Sequence, residues 1–313
     1  MRILVTGGLG FIGSNFINYW LSNYTHDSII NLDKETYASN RQNVNHKLIK
    51  NNYKFVSGDI SDRELVYKLV SEVDTIINFA AETHVDNSIE NSDLFIKSNY
   101  LGVYSLLEAV RKFNVRFHQI STDEVYGSLS FSSKQIFNEN SCYNPNNPYA
   151  ASKAAADHLI RSYVKTHGIR ATISICSNNF GPNQHVEKLI PKIISKANKN
   201  EKIPIYGNGK NIRDWIYVED HCRGIDLALK KGELSKTYLF SGRNEITNYD
   251  LAKRILQLMG KDENLIEFVK DRKGHDLRYA LDPSRAESDL GWKIKYSFRK
   301  NLCHTIDHFL NTE

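Results

Sequence analysis

Two side chains four positions apart, Tyr149 and Lys153, could move a proton during the oxidation of an alcohol. Residues 148–166 have the periodicity of a helix, in which positions i and i+4 lie on one face and can meet the same ligand. A free tyrosine ionises near pH ~10, which is too high for a base at neutral pH. A neighbouring ammonium group and a cationic cofactor would stabilise the phenolate and lower its pKa. The pair occurs often by chance, so its catalytic interpretation depends on an accompanying cofactor site.

A threonine and two adjacent acids, Thr122, Asp123 and Glu124, follow residues 116–121, which we predict to form a strand. Open parallel sheets bind ligands beyond the carboxyl ends of their strands, where these three residues lie. Neighbours on an extended segment point in different directions, so the two carboxyl groups could address different atoms of one substrate. If their surroundings separate their pKa values, one can act as a base and the other as an acid. A simple dehydrogenase needs no such pair, which indicates oxidation coupled to the elimination of water.

A glycine-rich turn near the start of the chain predicts the cofactor site. Gly7, Gly10 and Gly13 lie between a predicted strand, 3–6, and a predicted helix, 11–22. This spacing matches the dinucleotide-binding turn of short-chain dehydrogenases, in which glycines permit a tight turn and a close approach of the backbone to a pyrophosphate. The amino terminus of the helix then directs free N–H groups at the phosphates.

An acid at the end of the second predicted strand, Asp33, follows the glycine turn by about 20 residues. A carboxylate there accepts hydrogen bonds from the adenosine ribose and repels a 2′-phosphate, so the sequence favours NAD over NADP. The adjacent Lys34 could tolerate a 2′-phosphate and weakens that preference. Asp59 follows the third predicted strand and could accept a hydrogen bond from the adenine amine. The small Ala80 and Ala81, after the fourth strand, would let the cofactor lie close.

The elements that must position these residues alternate between strand and helix in the first half of the chain. We predict helices over 11–22, 63–72, 94–113 and 148–166, and strands over 3–6, 28–33, 75–80, 116–121 and 171–176, with another beginning at 55–56. This alternation predicts an α/β fold with a Rossmann-type, doubly wound parallel sheet. For the second half we predict a loop over 178–187, a strand over 203–206, and helices over 188–196, 247–259 and 297–310.

The change of pattern near residue 177 predicts two domains. We expect residues 1–176 to form the NAD-binding domain and residues 177–313 to form a smaller carboxyl-terminal α/β lobe that binds the substrate. Residues 212–230 could rejoin the first domain.

Composition limits the class of protein. The chain has 313 residues, of which 41% are hydrophobic and 25% are charged, and its formal net charge is +5. Its basic residues are dispersed, so we expect no nucleic acid partner. No apolar run approaches the ~20 residues that span a bilayer, and the chain leaves no room for a signal peptide, so we expect a cytoplasmic protein without a membrane partner. The cysteines lie far apart in the sequence and form no paired motif, so we expect no metal site and no disulfide framework. They are Cys142, Cys176, Cys222 and Cys303.

Nearly the whole chain closely resembles the nucleotide-sugar 4,6-dehydratases, a family of extended short-chain dehydrogenases/reductases. The matching segments are TGGLGFIGSN, LDKETYASN, GDISD, FAAETHVDNSI, STDEVYGS, NPYAASKAAADH, SNNFGPNQ, EKLIPK, PIYGNGKNIRDWIYVEDHC, NEITN and DRKGHDLRYALD. STDEVYG and RDWIYVEDHC are the most specific of these, whereas the glycine turn and the Tyr–Lys pair are shared by the whole superfamily.

The resemblance implies a hydro-lyase acting on a nucleoside diphosphate glucose, for which dTDP-glucose is the first expectation. In this family's mechanism Tyr149 takes the proton of the sugar 4-hydroxyl while NAD takes hydride from C4, and Thr122 polarises the ketone. Glu124 then removes the C5 proton, Asp123 protonates the departing 6-hydroxyl, and hydride returns to C6. The product is a 4-keto-6-deoxy sugar, and tightly bound NAD is regenerated in each turnover.

The resemblance also implies which residues bind the two ligands. For NAD these are Gly7, Gly10, Phe11, Ile12, Gly13, Asp33, Lys34, Asp59, Ile60, Ala80, Ala81, Tyr149, Lys153 and Asn179. For the substrate they are Thr83, Thr122, Asn178, Lys188, Leu189, Pro204, Tyr206, Arg213, Asn248, Arg272 and His275. The planar guanidinium of Arg213 is suited to pair with the diphosphate. The resemblance further implies a homodimer formed through helices 94–113 and 148–166.

Three alternatives remain open at the level of sequence. A UDP-glucose 4,6-dehydratase would use the same catalytic residues, and departures from the family pattern at Ser39, Asn87 and 183–189 leave the nucleotide base open. A nucleotide-sugar 4-epimerase of the same fold needs no carboxylate pair, so Asp123 and Glu124 argue against it. A non-catalytic NAD-sensing protein could lose the five proposed catalytic residues freely, yet this chain retains all of them.

Overall fold

The computed structural model describes residues 1–312, and its centre is a seven-stranded sheet. The strands are β1 Arg2–Thr6, β2 Ser28–Asp33, β3 Tyr53–Ser57, β4 Thr75–Asn78, β5 Arg116–Thr122, β6 Ala171–Cys176 and β10 Thr237–Phe240. They are arranged in the order β3-β2-β1-β4-β5-β6-β10, and every neighbouring pair is parallel. The order reverses direction between β1 and β4, which is where open sheets of this type bind ligands. The predicted doubly wound parallel sheet is confirmed.

Helices cover both faces of the sheet, which is why strands such as β4 and β6 are buried along their whole length. Across the described residues the helices are α1 Phe11–Asn23, α2 Arg63–Val70, α3 Val85–Glu90, α4 Asp93–Phe95, α5 Gly102–Phe113, α6 Pro148–His167, α7 Leu189–Asn198, α8 Val218–Lys231, α9 Asn248–Met259, α10 Ser284–Leu290 and α11 Phe298–Thr312. The helix predicted over 94–113 is continuous but contains a wider π-helical segment, Ile96–Leu101, between α4 and α5.

Two smaller sheets lie after the sixth strand. One has the order β11-β9-β7 and the other pairs β12 with β8; their strands are β7 Asn178–Phe180, β8 Ile203–Tyr206, β9 Ile212–Tyr217, β11 Glu245–Thr247 and β12 Ile266–Val269. The loop predicted over 178–187 is therefore wrong at its start, because β7 pairs in parallel with β9. Three residues are too few to show the alternation that marks a strand, and the partner strand is remote in the chain.

The second half of the chain also returns to the main sheet. Helix α8 packs against α1 through an apolar cluster that includes Phe16, Trp20, Cys222 and Ile225, and strand β10 pairs with β6 at the sheet edge. Residues 237–240 thus belong to the sheet, although the predicted division assigned them to the substrate-binding lobe. The division at residue 177 stays a prediction, and any such division has to place β10 with the sheet.

A separate apolar cluster holds the smaller sheets to α7, α9 and α11. Ile190, Ile193, Leu251 and Ile255 are fully buried in it, together with Leu302 of α11. In residues 1–312 none of the helices has both the length and the apolar character needed to cross a membrane.

Candidate active site

The amino terminus of α6 positions the Tyr–Lys pair. Asn147 caps this helix, because its side-chain oxygen accepts a hydrogen bond from the backbone N–H of Ala150 at 2.8 Å. Tyr149 lies in the first turn and Lys153 one turn later, and both are buried. Lys153 Nζ donates to the backbone oxygen of Ile120 at 2.6 Å, so the lysine is held against the end of β5.

The end of β5 supplies the carboxylate pair. The chain leaves the strand at Thr122 and enters a short 3-10 helix, Asp123–Tyr126, whose first turn contains both acids. Thr122 Oγ1 donates to Asp123 Oδ1 at 3.3 Å and accepts from the backbone N–H of Glu124 at 3.4 Å. Together with Tyr149, these three residues line one cleft, so the structure brings the predicted catalytic residues together.

The two carboxyl groups have different surroundings. Asp123 is 2% exposed, and its Oδ2 has no hydrogen-bond partner. Burial, reinforced by the charge of Glu124, raises the pKa of Asp123 well above its usual value. Burial also raises the pKa of Glu124, but a hydrogen bond from Asn147 and the charge of Arg213 oppose that rise. Asp123 is therefore suited to keep a proton, and Glu124 is the better placed of the two to accept one.

Burial also dominates the proton affinity of the Tyr–Lys pair. It raises the pKa of Tyr149 well above its usual value, reinforced by the charge of Glu124 and opposed by a hydrogen bond from Thr122. It lowers the pKa of Lys153, and the nearby Asp157 carboxyl group opposes that change. The protein alone thus favours the neutral phenol, and a cation bound beside the phenol would favour the phenolate.

A cleft of about 300 Å³ contains every residue that the sequence predicted for NAD. Two of its glycines, Gly7 and Gly13, leave no room for larger side chains. A Cβ on Gly13 would lie 2.4 Å from the backbone oxygen of Gly7, and a Cβ on Gly7 would lie 2.6 Å from the backbone nitrogen of Ala80. The cap residue of α1 is Gly10, which has no side chain to accept a hydrogen bond from the first N–H groups of α1. These features fit a dinucleotide pyrophosphate.

At the far end of this cleft, Asp33 is fixed by three donors. Its Oδ2 accepts from the backbone N–H of Leu9 at 3.0 Å, while its Oδ1 accepts from the backbone N–H of Glu35 and from Ser39 Oγ, both at 2.8 Å. Ser39, one of the departures from the family pattern, thus helps to orient the acid that we predicted for the ribose.

The adjacent Lys34 is engaged by neighbouring side chains. Its ammonium group donates to Ser98 Oγ at 2.8 Å and pairs with Glu82 at 2.9 Å. Since both partners compete with any phosphate for this ammonium group, Lys34 does little to favour NADP in this geometry.

A second cleft of about 210 Å³ adjoins the first and contains the predicted substrate-binding residues except Thr122, which lines the first cleft. Thr83, Glu124, Asn178 and Lys188 line both clefts. The Oδ1 atom of Asn178 is buried without a hydrogen-bond partner, as is that of Asn248 deeper in the second cleft. Such buried acceptors are costly unless something donates to them, so both fit a polar ligand.

Two arginines line the second cleft. Arg213 donates to the backbone oxygens of Ile212 and Asp276 and lies 4.4 Å above the ring of Tyr279. Because its partners are carbonyl groups and an aromatic face, its charge is not paired with a carboxylate in these contacts. Arg272, in contrast, pairs with Asp86 at 2.7 Å.

Two further residues predicted to contact a ligand, Asn179 and His275, already have partners within the protein. Asn179 lines the first cleft, but its amide donates to the backbone oxygen of Ser177 and its oxygen accepts from His221, so this side chain is committed to the protein. His275 pairs with Asp271 at 2.7 Å at the rim of the second cleft. The contact of Asn179 with His221 could not be anticipated from the sequence, because His221 lies in α8, whereas Asp271 and His275 are only four residues apart in one loop.

Sequence reasoning missed several residues of the site. The clefts also contain Gln184, His185, Asp86, Asn147, Asp276 and Tyr279. Only Asn147 carried a usable signal, since Asn followed by Pro at the start of a predicted helix is a typical cap. Among residues 1–312 no group of three or more His, Cys, Asp or Glu side chains is arranged to hold a metal ion.

Comparison with known proteins agrees with this geometry. A protein named dTDP-glucose 4,6-dehydratase from Mycolicibacterium smegmatis is 47% identical over 100% of this chain and 94% of its own length. The crystal structure of DesIV, a dTDP-glucose 4,6-dehydratase from Streptomyces venezuelae with NAD and TYD bound, matches with a TM-score of 0.96 at 41% identity, covering 99% of this chain and 97% of that one. UDP-glucose 4-epimerase from Thermotoga maritima matches with a TM-score of 0.91 but at 26% identity, covering 100% and 99%.

The family assignment follows from the length of the match. The family model described as GDP-mannose 4,6 dehydratase matches residues 4–305 of the chain. This chain therefore belongs to the GDP-mannose 4,6 dehydratase family, as its resemblance to nucleotide-sugar 4,6-dehydratases predicted.

Proposed function

We propose that this chain is a dTDP-glucose 4,6-dehydratase, a hydro-lyase that uses NAD and regenerates it in each turnover. The observation that carries the proposal is the carboxylate pair Asp123 and Glu124 beside Tyr149, where the two clefts meet. An epimerase has no use for an acid and a base at this position. The identities of 47% and 41% to dTDP-glucose 4,6-dehydratases, against 26% to an epimerase, support the same choice.

NAD binds in the first cleft in this proposal. The glycine turn and the amino terminus of α1 hold its pyrophosphate, Asp33 accepts from the adenosine ribose, and Lys153 holds the nicotinamide ribose. When bound, NAD accepts a hydride from C4 of the sugar and returns one to C6. Its cationic ring also supplies the charge that favours the Tyr149 phenolate.

Oxidation at C4 requires a base for the 4-hydroxyl proton, and Tyr149 accepts it. Thr122 donates a hydrogen bond towards the same oxygen and polarises the resulting ketone. That ketone acidifies the proton on C5, because the electron pair left at C5 delocalises onto the ketone oxygen.

Elimination then uses the carboxylate pair. Glu124 accepts the C5 proton, and Asp123, whose pKa is raised by burial, donates a proton to the 6-hydroxyl as the C6–O bond breaks. One water molecule leaves, and the double bond formed between C5 and C6 is reduced when hydride returns to C6 and a proton returns to C5. The net reaction is the loss of water without net oxidation.

The second cleft takes the nucleoside diphosphate. Arg213 faces the diphosphate, since its charge is not paired with a carboxylate in its observed contacts. The orphaned oxygens of Asn178 and Asn248 accept from hydroxyl or N–H groups of the substrate.

A homodimer is part of the proposal. Helix 93–113 exposes the apolar side chains Leu94, Ile96 and Leu101, whose exposed fractions are 52%, 50% and 47%. A second copy of this helix would bury them, in accord with the dimer that the resemblance implies. Light scattering at micromolar concentration tests this, and a monomeric mass contradicts it.

The decisive experiment compares dTDP-glucose with UDP-glucose in D2O and identifies the products by NMR. We expect dTDP-glucose to yield a 4-keto-6-deoxy sugar carrying deuterium at C5, because the base exchanges its proton with solvent. Faster conversion of UDP-glucose would reassign the nucleotide. A sugar changed only in its configuration at C4 would support an epimerase instead.

A further inference from the structure

The side chain of Asn147 contacts two functional elements at once. Its Oδ1 accepts from the backbone N–H of Ala150, in the first turn of the helix that carries Tyr149. Its Nδ2 donates to Glu124 Oε2 at 3.2 Å. The residue is 7% exposed, so water competes little for either contact. Asn147 thereby joins the helix of the tyrosine directly to the proposed C5 base.

The orientation of this amide is fixed by chemistry. A backbone N–H can only donate, so the atom that faces Ala150 has to be the oxygen of Asn147, and the NH2 group has to face Glu124. A cap alone does not require an amide, because Ser, Thr and Asp cap helices about as well. An asparagine amide differs from those residues because it also has an NH2 group. A hydrogen bond donated by that group to a carboxylate favours the charged form of the carboxyl group.

Other charged and titratable groups, which belong to several elements, also surround Glu124 and affect its pKa. Arg213 and Lys188 favour its charged form, whereas Asp123 and Asp276 disfavour it. The Tyr149 and Tyr279 hydroxyl groups also interact with its charge. Glu124 has a single direct side-chain hydrogen bond among those described for it in residues 1–312, and that bond comes from Asn147.

We propose that Asn147 is a positioning residue, which holds Glu124 in its ionised form and in place to take the C5 proton while it caps the helix of Tyr149. This inference rests on the proposed dehydratase function. It implies that a single amide, that of Asn147, sets the distance between Tyr149, which takes the proton of the 4-hydroxyl, and Glu124, which takes the C5 proton.

Three variants separate the two contacts. Asn147→Ser keeps a cap acceptor but is too short to reach Glu124. Asn147→Asp keeps the shape and the cap but places an acceptor, instead of a donor, against the carboxylate. Asn147→Ala loses both contacts, so the difference between its unfolding midpoint and that of Asn147→Ser measures the cap.

The first measurement is the pH profile of product formation and of C5 deuterium incorporation. Without the donor, Glu124 stays protonated to higher pH, so we expect the acidic limb of the profile to move up by about one unit in Asn147→Ser and further in Asn147→Asp. We expect kcat to fall about tenfold at pH 7, while KM for dTDP-glucose changes by less than about twofold, since the nucleotide contacts are intact.

The second measurement does not depend on turnover. The 13C-labelled carboxyl group of Glu124, assigned by its loss in Glu124→Gln, is titrated by NMR in the protein and in each variant. We expect its midpoint to rise in Asn147→Ser and Asn147→Asp. An unchanged midpoint, or an unchanged acidic limb in an active Asn147→Ser protein, overturns the inference. If the protein does not dehydrate the sugar, the proposed function fails, while the carboxyl titration still decides whether Asn147 sets the ionisation of Glu124.

Discussion

At the scale of single residues, burial determines how the acids of this site hold their protons. Asp123 lies at the end of a central strand, almost completely enclosed, with one carboxyl oxygen that has no partner. This enclosure raises the pKa of Asp123 and so favours the neutral form that an acid catalyst requires. The arrangement costs stability, because the same carboxyl group ionises freely in the unfolded chain.

Asp123→Asn tests both consequences. We expect elimination to slow by about 10²–10⁴-fold, because no proton is donated to the departing hydroxyl. The raised pKa means that the folded protein binds more protons than the unfolded chain above the usual pKa of aspartate, so stability falls as pH rises from acid to neutral. The asparagine variant should remove this loss. Thermal unfolding between pH 4 and pH 8 should show a flatter profile than the parent protein, and an identical profile would contradict the assignment.

Tyr149→Phe removes the hydroxyl that starts the reaction and leaves the ring in its buried position. We expect turnover to fall to background, and deuterium exchange at C5 to disappear as well, because the C5 proton becomes acidic only after C4 is oxidised. The matched control is Tyr143→Phe, since this tyrosine lines neither of the two clefts and its hydroxyl contacts Asp157 and Arg161; it should retain C5 exchange. Exchange in Tyr149→Phe equal to that of the parent would refute the base assignment.

Sequence analysis could propose the catalytic residues because each belongs to a short motif beside a strand or helix terminus. It missed residues such as Asp86 and Asp276, whose place in the cleft depends on contacts between elements that are far apart in the chain. Arg272 was anticipated from the resemblance, yet its ion pair with Asp86 joins residues 186 positions apart, and no local pattern reports such a pairing.

At the scale of elements, several strands and helices follow the rules of local sequence closely. The helix predicted over 11–22 is α1, Phe11–Asn23, and the strand predicted over 28–33 has the same bounds in the structure. Strand β7 was missed because its three residues are stabilised by pairing with β9, and short strands depend on such partners for their existence.

The substitution Gly13→Ala tests the tight turn between β1 and α1. The new Cβ would lie 2.4 Å from the oxygen of Gly7 and 2.9 Å from Cα of Gly8, so the backbone has to shift. We expect a loss of about 1–3 kcal/mol in the free energy of unfolding, and weaker NAD binding, measured by denaturant titration and calorimetry. Gly10→Ala is the control for the unfolding measurement, since its Cβ would meet the nearest atom at 3.4 Å. An equal loss in both variants would mean that crowding at Gly13 is not the cause.

At the scale of the whole molecule, the second half of the chain completes the first. Trp292 is fully buried 5.3 Å from the ring of Phe240 in β10, and its Nε1 donates to the backbone oxygen of Asp220 in α8. This single side chain therefore ties a segment near residue 290 to both the edge of the sheet and a covering helix.

Trp292→Ala should lower the free energy of unfolding by about 3–5 kcal/mol, as large-to-small changes in cores do. Equilibrium unfolding in guanidinium chloride measures the loss. Tyr296→Ala is the matched control, because this aromatic ring is 37% exposed and should cost less than about 1 kcal/mol. A small loss in Trp292→Ala would show that the sheet edge is stable without this contact.

The position of β10 also has a consequence for how the chain acquires its structure during synthesis. Strand β6 ends at Cys176, and its outer neighbour is made roughly 60 residues later. Until then a strand that is fully buried in the folded protein presents unpaired N–H and C=O groups, which is the kind of edge that recruits other chains. A nascent chain that has emerged only as far as the sixth strand should therefore depend on chaperone protection, and its yield should respond to translation speed between residues 177 and 240.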